Sequence, residues 1–360
     1  MASIPQTNPP SAVISARAAA DAEALSEQDR HRLAAAGWVR AAGAECVKVR
    51  AGAWGAVAVS GAVSKDNLIE RRFGMIISIA SGKGGTGKTT VATNLARSIG
   101  SNVQLLDCDV EEPNAHLFIN PTFDESETVF IPVPEVDEDK CTYCGKCAEI
   151  CQFKAIAVVN ENILVFEELC HSCGGCWEVC PEDAITQKGR ELGAIQRGQS
   201  NGIEFIHGKL RVGEAMSPPL IKKVRSFENP DKLTIIDAPP GTSCPVIASM
   251  KDADFVLLVT EPTPFGLHDL KLAVGAAQIL NIPLGLVINR SDLGDDRVRK
   301  YARQKRLPIL MEIPFDRQIA EAYSRGEMLV DVIPQWKDRF LRLYDQIKRL
   351  SKHETPNTKN

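Results

Sequence analysis

Two things are scarce in this chain of 360 residues, and each scarcity removes a class of function. Positive charge is one: 42 Lys and Arg stand against 46 Asp and Glu, a net charge of −4, so the basic surplus that a nucleic-acid surface needs is missing. No nucleic-acid partner is expected. Long apolar runs are the other: none approaches the roughly 20 residues that span a bilayer, and membrane association is not expected. Residues 1–74 also lack any sustained helical or strand period. They are rich in Ala and Gly, and only Ser26 to Ala36, ended by Gly37, reads as a short helix. Asp21, Glu23, Glu27 and Asp29 lie too close together for a transit peptide, which avoids acids. This segment reads as a poorly ordered extension or a misplaced start, with another small domain as the alternative, because the first strand opens at Met75. What remains is long enough for two or three domains, and 44% hydrophobic residues suffice for a full core.

Cysteine, by contrast, is abundant and patterned. Eight of the eleven fall into two copies of one run: Cys141, Cys144, Cys147, Cys151, and then Cys170, Cys173, Cys176, Cys180, followed by Pro181. This C-x2-C-x2-C-x3-C spacing is that of a two-cluster bacterial ferredoxin. Three close thiolates wrap one corner of an iron–sulfur cube, and the fourth, a helical turn on, reaches the other cube. The spacing rule therefore assigns Cys141, Cys144, Cys147 and Cys180 to one 4Fe–4S cluster, and Cys170, Cys173, Cys176 and Cys151 to the second. A pair of zinc ribbons or a disulfide framework are the alternatives. Zinc ligands come more often as separated pairs, and a disulfide scaffold belongs to secreted chains. Thiols kept for metal point to a cytoplasmic location.

Upstream, Gly82-Lys83-Gly84-Gly85-Thr86-Gly87-Lys88-Thr89-Thr90 is a phosphate-binding loop between an apolar strand (Met75–Ala80) and a helical pattern (from about Thr89 to Ser98). Its glycines let backbone amides turn toward phosphate, and the helix start adds positive potential. Lys88 neutralises β- and γ-phosphates, and the Thr89 hydroxyl holds Mg2+.

The additional Lys83, in KGGTGKTT, resembles the deviant phosphate loop of the MinD/Mrp/ParA ATPases. Further along, Leu105 to Asn114 is similar to that family's first switch, and Leu233 to Thr242 to its second. Val259 to Pro264 looks like the loop after the next strand. Leu286 to Arg290 and Ile313 to Phe315 resemble its adenine-binding segments. More narrowly, the chain resembles MinD-type ATPases carrying an inserted ferredoxin domain. The fold this implies is α/β: a doubly wound, mostly parallel P-loop NTPase sheet with an inserted bacterial-ferredoxin-like α+β domain. The resemblance also implies roles. Lys83 reaches across an ATP-dependent homodimer, Asp109 orients the attacking water, and Asp237 contacts magnesium through water. Asp107 supports the same ion, and Asn289, Arg290 and Pro314 lie against adenine. ATP, Mg2+ and two 4Fe–4S clusters are the implied cofactors. Cys244 sits where the related nitrogenase iron protein has a cluster ligand, but it reads as a buried packing thiol, as do Cys46 and Cys108.

The organisation expected is an ATPase domain at 75–132 and 191–350, interrupted by the cluster insert at 133–190, with a disordered tail at 351–360. Ala155-Ile156 and Ala184-Ile185 are expected to open short strands, and Gly198 to Arg211 a hairpin. Trp336 to Leu350 is expected to dock on its own sheet through Trp336, Phe340, Leu343 and Ile347. His171 and Trp177 read as packing residues. Two functions fit: ATP-gated electron transfer through the clusters, or an ATP-dependent iron–sulfur carrier or assembly factor. Each needs a redox or client protein as partner.

Overall fold

The computed structural model describes residues 74–353. The expectations for residues 1–73, including the short helix and Cys46, and for residues 354–360 lie outside the described residues. The chain opens with β1 (Ile76–Ser81), the phosphate loop, α1 (Lys88–Ile99), β2 (Val103–Asp107), the short α2 (His116–Ile119) and β3 (Thr122–Val136). The cysteine-bearing segment follows, with α3 (Lys146–Ile150), the hairpin β4 (Ile156–Val159) and β5 (Asn162–Val165), and α4 (Gly175–Glu178). Then come β6 (Ile185–Ser200), β7 (Ile203–Leu210), α5 (Pro218–Arg225), β8 (Leu233–Pro240), α6 (Cys244–Met250) and β9 (Phe255–Thr260). The chain continues through α7 (Pro264–Ile279), β10 (Leu284–Asn289), α8 (Arg297–Lys305), β11 (Ile309–Ile313), α9 (Arg317–Ser324), α10 (Leu329–Val332) and α11 (Gln335–His353).

One nine-stranded sheet has the order β11-β10-β9-β1-β8-β2-β7-β6-β3. Its seven strands from β11 to β7 run parallel, and β6 and β3 add an antiparallel edge. The central strands are buried on both faces, which is why they read as unbroken apolar runs. Alternate residues feed opposite cores. Ile77, Leu105, Ile235 and Leu257 pack with α1 and with Trp336, Phe340, Leu343 and Ile347 of α11. Ala80, Leu258 and Leu286 pack with α7 and α8, and Leu106, Ile206 and Ile236 with α5. The final helix docks on its own sheet, as its apolar stripe requires.

The antiparallel edge departs from the expected layout. Ala184-Ile185 begins a 16-residue strand and not a short one. The hairpin expected at Gly198 to Arg211 turns at Asn201-Gly202, where both residues have positive φ (50° and 81°). β3 pairs with β6 along its whole length, so the boundaries expected at 133 and 190 fall inside these strands. Pro132 and Pro134 are tolerated because β3 is the sheet's edge, where a missing N–H faces no neighbour. β6 meets β7 only from Gly193 onward, opposite Leu210 at the C-terminal end of β7. The preceding residues of β6, with their partners in β3, therefore leave the sheet as a two-stranded ribbon. At about 3.4 Å per residue the ribbon reaches roughly 25 Å past the edge at which the parallel strands end.

Candidate functional site

The ends of the parallel strands line up across the sheet. Asp107 lies opposite Asp237, and Ile79, three residues before Gly82, lies opposite Asp237 on the other side. β1 delivers the loop at the point where the strand order reverses, the crevice in which open α/β sheets bind ligands. Gly87 has φ 96°, and a Cβ there would lie 2.5 Å from the Asn289 Nδ2, so only glycine fits. That amide donates to the Thr86 carbonyl at 2.9 Å. Asn289, expected beside adenine, thus also braces the loop. Lys88 and Thr86 are buried at the loop's floor, and the Thr86 hydroxyl has no partner.

Two carboxylates, Asp237 and Asp109, lie beside Lys88, and Asp107 lies opposite Asp237 on the neighbouring strand. Asp237 is 1% exposed, and neither of its oxygens has a hydrogen-bond partner. Burial pushes it up to about 6, against the pull of nearby Lys88 and Thr89. A buried carboxylate with unsatisfied oxygens next to a threonine hydroxyl is a site a divalent cation would complete. These residues therefore fit Mg2+. Burial likewise raises Asp109 to about 7; Lys88 opposes the rise, and Asp237, Glu111 and Glu112 add to it. Asp107, expected to support magnesium, is placed differently. One oxygen accepts from the Asp109 amide at 3.1 Å, and the other from the Asn114 and Ala115 amides at 3.1 and 3.0 Å. Its carboxylate shapes the loop between β2 and α2, while burial and Asp237 hold its pKa well above the usual range.

Lys83 does not point away from its own chain. Its Nζ donates to Glu261 Oε2 at 3.1 Å, and Arg290 NH1 donates to Glu261 Oε1 at 2.8 Å. Glu261, at the end of β9, is buried and was not singled out by the sequence, because its partners lie 178 and 29 residues away. Pro314 is exposed just past β11, beside Asn289, whose strand partner is Ile313.

The eight patterned cysteines sort into two separate cavities. One is lined by Cys141, Cys144, Cys147 and Cys180; the other by Cys151, Cys170, Cys173 and Cys176. The fourth cysteine of each run crosses to the other cavity. The two halves are backbone copies. Tyr143 and Ser172 both have φ 53°, Gly145 and Gly174 have 78° and 82°, and Lys154 and Asp183 have 55° and 47°. Amides donate to sulfur at equivalent places: Tyr143 to Cys141 and Ser172 to Cys170 at 3.4 Å, Ala155 to Cys151 and Ala184 to Cys180 at 3.3 Å. None of the ten described cysteines is in a disulfide. Among the described residues, no group of three or more His, Cys, Asp or Glu draws together tightly enough for a single metal ion. Each set of four sulfurs lines a cavity of its own. Burial raises the Cys176 thiol to about 11 and also raises Cys147 and Cys170. His171 stacks on Phe153 with ring centroids 3.5 Å apart, at the second cavity.

Two thiols outside the runs differ from each other. Cys108 is buried, as expected for packing. Cys244 is exposed, not buried, because it opens α6 directly after the loop that follows Asp237. No helix among the described residues is long and apolar enough to cross a membrane.

A model of the CobQ/CobB/MinD/ParA nucleotide-binding domain matches residues 77–330. An uncharacterised protein of Methanocaldococcus jannaschii is 34% identical over 279 residues, which are 76% of this chain and 96% of its own length. An iron–sulfur cluster carrier protein of Aquifex aeolicus is 28% identical over 278 residues, 71% of this chain and 61% of its own. Among solved structures, the septum site-determining protein MinD with Mg-ADP from Pyrococcus horikoshii has a TM-score of 0.50 at 21% identity. That likeness, over 79% of this chain and all of the other, is one of fold. With a family model spanning the sheet from β1 to α10, and a relative matched over nearly its whole length, the chain belongs to the CobQ/CobB/MinD/ParA family of nucleotide-binding domains.

Proposed function

We propose that this chain is an ATP-hydrolysing iron–sulfur protein that holds two 4Fe–4S clusters and delivers cluster to client proteins under nucleotide control. The observation behind the reading is the sorting of eight cysteines into two cavities of four, on a ribbon rooted in a nucleotide-binding sheet. Relatives named iron–sulfur cluster carrier proteins, at 24–28% identity, support delivery as the outcome.

In phosphoryl transfer the protein mostly positions groups and stabilises charge. The amides of Gly84 to Thr90, with Lys88, hold the phosphates of ATP. Thr89 and Asp237 hold Mg2+, which when bound neutralises charge on the transferred group. Asp109, half-buried and titrating near neutrality, aligns the attacking water and takes its proton. Asn289, Arg290 and Pro314 border the adenine. Lys83 leaves Glu261 to reach the nucleotide of a second copy, giving an ATP-dependent homodimer. The clusters, when bound, supply one-electron chemistry and are also the cargo. Such thiolates need a reducing compartment, as the cytoplasm is.

A second reading, ATP-gated electron transfer, is favoured by a specific feature. The amide-to-sulfur bonds and the burial of Cys147, Cys170 and Cys176 suit clusters that stay in place. Anaerobic incubation of the loaded protein with an apo-ferredoxin, with and without Mg-ATP, separates the two. Nucleotide-dependent transfer of iron and sulfide supports delivery. Full retention, with reversible reduction, overturns delivery and leaves electron transfer.

A further inference from the structure

We propose that Glu261 is a latch that holds Lys83 within its own chain, and that Arg290 lets the latch release the lysine to a second copy without leaving a buried charge unpaired. This rests on the reading of Lys83 as a group that acts across an ATP-dependent homodimer.

The Glu261 side chain is 8% exposed, against 32% for Lys83 and 49% for Arg290. Each carboxylate oxygen accepts from one cation: Oε2 from Lys83 Nζ at 3.1 Å, and Oε1 from Arg290 NH1 at 2.8 Å. Loss of both partners would strand a buried charge, which is costly, whereas loss of one leaves the other in place. The carboxylate is also the fixed member of the three. The Glu261 carbonyl accepts from the Thr263 amide at 2.8 Å, and a Cβ on Gly266, in the first turn of α7, would lie 2.3 Å from that oxygen. The carbonyl of the next residue, Pro262, accepts from the Asp295 amide at 3.0 Å. Lys83, by contrast, carries its charge on a flexible stem. It is followed by Gly84 and Gly85, which are exposed and where a Cβ would meet nothing closer than 4.0 Å. The lysine is therefore the member able to leave.

While Lys83 is held by Glu261 it cannot bind phosphate on a second copy, so each contact it makes there competes with this ion pair. Arg290 sets the size of that competition. With Arg290 in place, departure of Lys83 leaves Glu261 one cation; without Arg290, departure leaves it none. Asn289, the neighbour of Arg290, braces the Thr86 carbonyl, so the end of β10 holds both the latch and the loop that carries Lys83. Glu261 is thus a positioning residue that acts on nucleotide through Lys83. It opposes dimer closure, and Arg290, beyond its place beside adenine, favours closure. Two partners in one ion-pair network are thereby given opposite effects on dimerisation.

The test is anaerobic sedimentation equilibrium of the full-length chain with saturating Mg2+ and a non-hydrolysable ATP analogue, which reads the dimer dissociation constant. Glu261→Gln keeps the shape and removes the charge, and it should tighten the dimer about tenfold, the worth of one hydrogen bond to a charged group. Arg290→Ala should weaken the dimer by at least about tenfold, because Lys83 then leaves behind an unpaired buried carboxylate. Arg290→Lys should stay close to native, since the contact to Oε1 uses a single nitrogen. The double variant, Glu261→Gln with Arg290→Ala, should return to the tight value of Glu261→Gln, because no carboxylate remains to be stranded. An effect of Arg290 through adenine would persist in the double variant. If Glu261→Gln does not fold, the comparison of Arg290→Ala with Arg290→Lys still decides. Equal dissociation constants for those two, an unchanged or weaker dimer in Glu261→Gln, or a double variant as weak as Arg290→Ala would overturn the proposal. A native chain that stays monomeric with the analogue, or Lys83→Ala that dimerises like the native protein, overturns instead the cross-dimer reading beneath it.

Discussion

The side-chain amide of Asn289 donates to the backbone carbonyl of Thr86 at 2.9 Å, tying the end of β10 to the phosphate loop. The loop's shape therefore depends on a residue 203 positions away, in the segment expected to lie beside adenine. Asn289→Ala removes one hydrogen bond, worth about 1 kcal/mol. Nucleotide affinity should fall roughly five- to tenfold, with folding intact; isothermal titration with Mg-ADP measures it, and unchanged affinity would remove the bracing role.

Lys88 is separated from both cysteine cavities by the length of the ribbon. Lys88→Ala should lower ATP hydrolysis by at least about a hundredfold, the usual effect of losing a charge-stabilising donor. Anaerobic iron content should stay at the native value. Measuring both on one preparation checks this, and parallel loss of iron would show that the two sites are not independent.

Asp109, raised from 3.8 to about 7, gives two pH dependences. As the group that takes a proton from water it must be ionised, so hydrolysis should rise with pH through about 7 and be lost below it. Stability of the nucleotide-free chain should run the other way. Between about 4 and 7 the folded chain binds more protons than the unfolded one, so stability falls as pH rises, by up to about 1.4 kcal/mol per pH unit for such a group. Asp109→Asn should abolish hydrolysis, retain nucleotide binding, and flatten the fall in melting temperature between pH 5 and 7. A fall as steep as the native one would assign the effect to Asp107 and Asp237.

The phosphate loop and the cysteine runs were legible because their chemistry is local: a few residues at fixed spacing define each. The crossing of Cys151 and Cys180 between cavities follows from the same spacing. Much of what places these sites is not local. β3 was missed because its outer half is acidic and exposed and its inner half holds Pro132 and Pro134, features only an edge strand accommodates. Glu261 looks like an ordinary loop acid until folding sets it between Lys83 and Arg290. Asp107 reads as a metal-site carboxylate, yet the fold aims backbone amides at it. Cys244 reads as a packing thiol because a lone cysteine usually is one, but a turn ending in Ser243 sets it at an exposed helix start.

The most direct measurement is iron and acid-labile sulfide per chain in anaerobic preparations of the native protein and of Cys180→Ala. Two 4Fe–4S clusters require about eight irons and eight sulfides. Removing Cys180 should eliminate the cluster held with Cys141, Cys144 and Cys147 and leave about four of each, with the Cys151, Cys170, Cys173 and Cys176 cluster intact. Native protein that carries zinc without sulfide, or Cys180→Ala that loses instead the cluster of the run in which Cys180 lies, would contradict the account.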